Sequence, residues 1–176
     1  MLVLLGACAT DGPTAVAAQF VRIERDRFEN DGGGAAFYGL GNEEEPASVF
    51  VDVRYTESGG VDGTRYYETP PGHSGDAATG QRRTIGASLH LGPTVRFAEW
   101  LNAYVGLGVG YREEQVQLFD PSFTLDPQGF YVVRRGEHYE VSGSFGLLVR
   151  PQEELLFGVG YDTFFEGFVF SLGVVF

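Results

Sequence analysis

The sequence predicts an all-β chain that closes as an eight-stranded antiparallel up-and-down transmembrane β-barrel. Three observations carry this: apolar residues recur with period two in segment after segment, the face opposite them is small rather than charged, and the connections alternate short and long. Composition agrees. Of 176 residues, 26 are glycine, and 14% are aromatic, too much strand-forming bulk for a disordered chain.

The last strand is the clearest. In Phe168–Phe176 the even positions are Phe168, Phe170, Leu172, Val174 and Phe176, whereas Ser171 and Gly173 stand among the odd ones. Leu155, Phe157, Val159 and Tyr161 alternate with Leu156, Gly158, Gly160 and Asp162, and Thr163–Gly167 joins the two as a hairpin. Upstream, Tyr139–Val149, Ala103–Tyr111, Ile85–Phe97 and Val49–Tyr55 follow the same alternation. Two weaker strands near Gln19–Phe28 and Ala35–Leu40 complete eight.

A soluble sandwich or barrel packs its apolar face inward and shows charge to water. Here the opposing face is glycine and serine with scattered arginines and carboxylates, which fits the narrow interior of an eight-stranded barrel. The strands reach the 9–11 residues that a tilted span requires. Residues 41–46, 98–101 and 151–153 make tight turns, whereas 58–82 and the region around 114–137 are long. That asymmetry separates periplasmic turns from extracellular loops. Tyr55, Tyr111, Tyr139 and Tyr161 fall at the loop ends, and Phe97, Trp100 and Phe176 at the turn ends, as interfacial girdles would.

On these residues the chain resembles the eight-stranded outer-membrane β-barrel family, of the OmpA membrane domain, OmpX and opacity-protein type, over roughly residues 19–176. The resemblance implies a bacterial outer-membrane location, contact with membrane lipid and lipopolysaccharide, and a C-terminal aromatic, Phe176, read as an assembly signal by the barrel-assembly machinery. Val174 departs from the aromatic that the family carries two residues before its end.

The N-terminal segment 1–18 reads as a signal. Leu5-Gly6-Ala7-Cys8 is similar to a bacterial lipobox, making Cys8 the expected lipid attachment, although no positive region precedes it. Ala15-Val16-Ala17 is a competing cleavage site.

The charged residues on the small face are Arg22, Glu24, Asp52, Arg54, His90, Arg96, Arg112, Glu140, Arg150, Glu154 and Asp162. Charges in a narrow lumen must be paired, so Asp52, Arg54, His90, Arg96, Arg112, Glu140 and Arg150 are expected to form a structural network that plugs it. Ser88 and His90 share a face, with Glu140 opposite, and eight-stranded lipid A deacylases use such a triad; the serine–histidine order here is reversed from theirs. Gly106, Gly108 and Gly110 lie at strand spacing and thin the wall; no nucleotide loop is expected.

Much else is excluded. A single cysteine allows neither a disulfide nor a CxxC zinc site. Net charge is −12, with 12 basic residues, all arginine, against 24 acidic, and disfavours nucleic acid. None of the common nucleotide, zinc-protease or serine-hydrolase motifs occurs, so no enzyme, cofactor or metal is expected. The expected role is surface interaction or envelope stabilisation through long extracellular loops. A β-hairpin over 114–135, bulged near Glu113-Glu114, is expected to stand above the membrane with unpaired edges and exposed Val116, Leu118, Tyr131 and Val133, free to meet an extracellular partner. Arg82-Arg83 and Arg134-Arg135 could meet lipopolysaccharide phosphates or balance Glu113, Glu114 and Glu137. The competing reading is a secreted soluble β-barrel holding a small apolar ligand.

Overall fold

The structure is a computed structural model that describes residues 12–24, 28–61, 65–69, 71 and 75–176. Cys8 and the lipobox lie outside the described residues. The described residues form nine strands: β1 (Thr14–Ile23), β2 (Gly32–Gly39), β3 (Ala47–Gly59), β4 (Tyr66–Tyr67), β5 (Ala77–Ala98), β6 (Leu101–Phe119), β7 (Phe130–Gln152), β8 (Leu155–Asp162) and β9 (Gly167–Val175). All but β4 form one closed antiparallel barrel, in the order β7-β6-β5-β3-β2-β1-β9-β8 and back to β7.

The strand faces sort by parity. In β9 every even residue is exposed and every odd one buried. Outward positions are large and apolar: Leu107 is 72% and Val141 85% exposed, and Phe145, Phe157, Phe170 and Leu172 join them. The ring of strands leaves no barrel edge open, and this outward belt is of a kind that hydrocarbon tolerates.

At one end the connections are tight. Residues 40–46 turn on Gly41 at φ +65°, where a Cβ would lie 2.8 Å from the Glu45 carbonyl. Asn42 Oδ1 accepts the backbone N–H groups of Glu44 and Glu45 at 2.9 and 2.6 Å, holding the acidic run in that turn. The start of the first strand meets the end of the last here, Thr14 and Phe176 exchanging backbone hydrogen bonds at 3.1 and 2.9 Å.

The structure differs from the sequence reading at β1, which opens at Thr14, ahead of Gln19. Ala15-Val16-Ala17 is therefore wall, with Ala17 beside Gly173 of β9. Small residues there let the two strands close on each other.

The opposite end carries the long connections. Here β5, β6 and β7 continue past the barrel as one sheet, paired out to Ala77–Phe119 and Phe119–Phe130. The expected free-standing hairpin is thus flanked on both sides. On its β7 edge, β4 pairs in parallel, Tyr66 with Val132 and Tyr67 with Val133. The Val132 N–H also donates to the Arg65 carbonyl at 2.9 Å. Tyr131 and Val133 are buried rather than exposed; the Tyr131 ring meets Tyr67 edge-on at 5.6 Å and its hydroxyl donates to Asp76 at 2.6 Å. The bulge falls at the expected level but on the partner strand. Glu114 pairs with Gly136 and Gln115 with Arg134, so the extra residue is Arg135 on β7.

Candidate functional site

Three regions of the barrel hold its chemistry: the lumen, the ring where the wall changes polarity, and the projecting sheet.

Arg54 is the hub of the lumen and is fully buried. Its guanidinium donates to Asp162 Oδ2 at 2.5 Å, to Ser144 Oγ at 2.8 Å, to Gln19 Oε1 at 3.1 Å and to Asp52. Gln19 passes the chain on by donating to the Tyr38 hydroxyl at 2.9 Å and toward Ser171 at 3.4 Å. His90 bridges Asp52 (Nδ1 to Oδ1, 2.8 Å) and Ser142 (Nε2 to Oγ, 2.7 Å). Ser88 donates to Asp162 Oδ2 at 3.3 Å. Every barrel strand except β6 contributes a member. On β6 the same level is glycine, and a Cβ on Gly110 would lie 2.1 Å from the Phe164 ring and one on Gly106 2.5 Å from Phe50. Those glycines make room for side chains reaching across from the other strands. One planar guanidinium facing two carboxylates in several directions is a task for arginine rather than lysine.

Apolar layers lie above and below this hub. Toward the tight turns, Tyr38, Phe50 and Tyr104 pack ring against ring at 4.8–5.9 Å with Leu40, Leu148 and Leu156 around them. Toward the long connections, Phe28, Phe164 and Phe165 pack at 4.9–5.8 Å. Asp162 Oδ1 accepts the backbone N–H groups of Phe164 and Phe165 and so folds the β8–β9 turn inward.

Of the charged residues proposed for the lumen, the structure brings together Asp52, Arg54, His90 and Asp162. Arg96 and Arg150 stand at the tight-turn end, where Arg96 lines a hollow with Asn42 and Glu43. Arg112 and Glu140 stand at the opposite rim; Glu140 lies 3.7 Å from His138. Arg22 and Glu24 are exposed: inward positions on β1 are odd, and Arg22 pairs beside Phe168 on the outward face. Glu154 is exposed in the β7–β8 turn. Ser142 and Ser144 were not singled out, although their inward parity was a signal; Gln19 was missed because the sequence reading put the even positions of β1 inward.

The serine–histidine pair does not form the expected triad. Ser88 and His90 both point into the lumen, and Glu140 engages His138 at the rim. The hydrogen-bonded row is instead Asp52–His90–Ser142, with each residue at most 1% exposed. Such a row has the connectivity of a nucleophile, base and orienting acid, but substrate has no approach to a serine so buried.

The outward face records where the membrane ends. On β6 it runs Ala103, Val105, Leu107, Val109, Tyr111 and then Glu113, Gln115, Gln117. The turnover falls at one level on neighbouring strands: Tyr55, Ala87, Tyr111 and Tyr139 stand in register, and the next outward row is Glu57, Ile85, Glu113 and Glu137. From Leu101 to Tyr111 the strand rises roughly 33 Å at ~3.3 Å per residue, or about 25 Å of height at ~40° tilt. This is the height of a hydrocarbon band. Beyond it Glu113 accepts from Tyr111 at 2.5 Å, Gln115 at 2.7 Å and Tyr66 at 2.8 Å. Burial acts to raise the Glu113 pKa, and these hydrogen bonds outweigh it, holding the carboxyl below its usual range. Tyr66 is pushed up to about 12 by burial and by its bond to that carboxylate.

No family model and no curated protein matches the sequence. Solved structures match the fold. The crystal structure of Ail, the attachment invasion locus protein of Yersinia pestis, is 15% identical with a TM-score of 0.52, covering 94% of this chain and 99% of that one. The same protein in a phospholipid bilayer nanodisc gives 15% identity and 0.52 over 94% and 98%. Ail in complex with the heparin analogue sucrose octasulfate gives 16% and 0.51 over 93% and 95%. The chain thus has the eight-stranded outer-membrane β-barrel fold.

Proposed function

We propose that this chain is a non-enzymatic outer-membrane barrel with a sealed lumen, acting at the cell surface through the projecting β5–β6–β7 sheet in surface interaction or envelope stabilisation. The observation that carries the reading is the turnover of outward polarity between the Tyr55–Tyr111–Tyr139 row and the Glu57–Glu113–Glu137 row. It supports a projecting sheet that stands in water, at the end with long connections, and that end faces outward in barrels of this kind. Asp52, Arg54 and His90 serve as a structural plug between two aromatic layers. Eight strands leave room for side chains and no channel, and the most enzyme-like row, Asp52–His90–Ser142, is closed to substrate.

In this reading Phe176, exposed beside Thr14 at the tight-turn end, is the signal for the barrel-assembly machinery, and Cys8 is the lipid attachment. Lipid and lipopolysaccharide surround the outward belt. A soluble apolar-ligand barrel would need the reverse polarity of both faces.

The test is topology in intact cells. Gln128, exposed in the β6–β7 connection, replaced as Gln128→Cys should react with a membrane-impermeant maleimide before lysis. Labelling only after lysis would overturn the orientation.

A further inference from the structure

The sheet that projects beyond the tyrosine row has two sorts of arginine. On its outward face they are already engaged. Arg134 Nη1 donates to Glu137 at 2.5 Å and Nη2 lies 3.6 Å from Glu68; Arg83 Nε lies 2.9 Å from Glu57. On its inward face they are not. Arg82 and Arg135 have no ion-pair partner among the described residues, and Arg112 has only Glu114, at 3.9 Å.

The facing follows from register. On β5, pairing is unbroken from Arg82 to Leu91, so Arg82 and Thr84 share the inward face of Gly86, Ser88 and His90. Across from them, Gly86 pairs with Arg112, Thr84 with Glu114 and Arg82 with Val116. Arg135, the extra residue of the β7 bulge, turns to the same side. Arg82, Thr84, Arg112, Glu114, Val116 and Arg135 line a hollow of about 230 Å³, which Arg83 and Gln115 also border. A second hollow of about 320 Å³, reaching Ala78 and Gly80, shares Arg82, Val116 and Arg135 with it. The two are one groove.

We propose that this groove binds an extended glycan bearing sulfate or phosphate esters, held by Arg82, Arg112 and Arg135. Guanidinium forks pair with such tetrahedral anions bidentately, and Thr84 adds a hydroxyl. Beside the β5 bulge between Ala78 and Arg82, the groove runs along β6 from Leu118 to Glu114, roughly 13 Å at ~3.3 Å per residue, long enough for more than one ester group in a row. Its direction selects the source. The groove faces the barrel axis above Phe28, Phe164 and Phe165, while phosphates of the surrounding leaflet meet the outward row of Glu57, Glu113 and Glu137. The ligand therefore arrives from the extracellular solution. The inward-facing carboxylates, Glu114 and Glu140, offset part of the positive charge; Glu140 is held near His138. The inference rests on the outward orientation proposed above.

The experiment titrates a short dextran sulfate oligomer, with uncharged dextran as control, into the full chain in phosphatidylcholine nanodiscs. Arg82→Gln combined with Arg135→Gln should weaken binding about tenfold or more, while Arg134→Gln changes it less than about threefold. Glu114→Gln should tighten binding severalfold, a gain that misfolding cannot mimic. Unchanged binding in the double variant, or an equal loss in Arg134→Gln, overturns the proposal. So does competition from lipopolysaccharide added to the nanodiscs that disappears in the double variant, which would assign the groove to the leaflet. Binding in nanodiscs without binding to intact cells would fault the orientation and leave the groove standing.

Discussion

Arg54 and Asp162 meet across the lumen at 2.5 Å, through an oxygen that leaves the other half of the carboxylate free to hold the Phe164 and Phe165 N–H groups at 2.8 and 3.2 Å. One side chain thus joins the charged hub to the aromatic layer above it. Asp162→Ala should cost about 3–5 kcal/mol, because it strands a buried guanidinium charge and releases the turn together. Asp162→Asn keeps an acceptor for the turn and should cost less. Urea titration of folding into bilayers, read by gel migration, measures both.

The β6 glycines are spacers for the groups opposite. Gly110→Ala drives a methyl into the Phe164 ring and should cost about 1–3 kcal/mol. At Gly136, where an added Cβ meets nothing within 4 Å, the same change should stay within about 0.5 kcal/mol. Equal effects would refute the packing account.

Ser142→Ala removes the partner of His90 Nε2 in a dry site and should destabilise by about 1–3 kcal/mol. A fluorophosphonate probe should leave the folded parent protein unlabelled, since Ser142 is 1% exposed. Labelling that Ser142→Ala abolishes would instead make the row catalytic.

Asp120 organises the β6–β7 connection. Its carboxylate accepts from the Ser122 hydroxyl and, at 2.8–3.0 Å, from the backbone N–H groups of Leu125, Ser122 and Thr124. Hydrogen bonding from Ser122 foremost, then from these amides, holds its pKa well below the usual range. A depressed folded pKa stabilises above the unfolded value, about 3.9, and that contribution is lost as pH falls through the folded one. Amide exchange at Thr124 and Leu125 should therefore stay protected at pH 5 and lose protection only at about pH 3 and below. Loss of protection near pH 6 would contradict the assignment.

The eight barrel strands were legible because lipid demands a bulky apolar residue at every second position, and β3 and β5–β9 obey. The hub was legible in part: Asp52, Arg54, His90 and Asp162 share inward parity and charge. Ser142 and Ser144 carry the same parity without charge, so nothing set them apart from other small residues, and Gln19 was hidden by the reversed reading of β1. Arg22 was misplaced because the alanines of β1 blur its alternation. At Tyr111–Val116 the change of apolar parity suggested a bulge in β6. The strand in fact runs on regularly, and its surroundings change from lipid to water, so its apolar face changes from outward to inward. The two residues of β4 are too few to show a period.

The central claim is a barrel whose apolar side faces lipid. Fractionation followed by electrophoresis with and without boiling tests it most directly. The account predicts recovery in the outer-membrane fraction, release only by detergent, and a folded band that changes mobility on heating. Recovery as a monomer that stays in solution without detergent would contradict it.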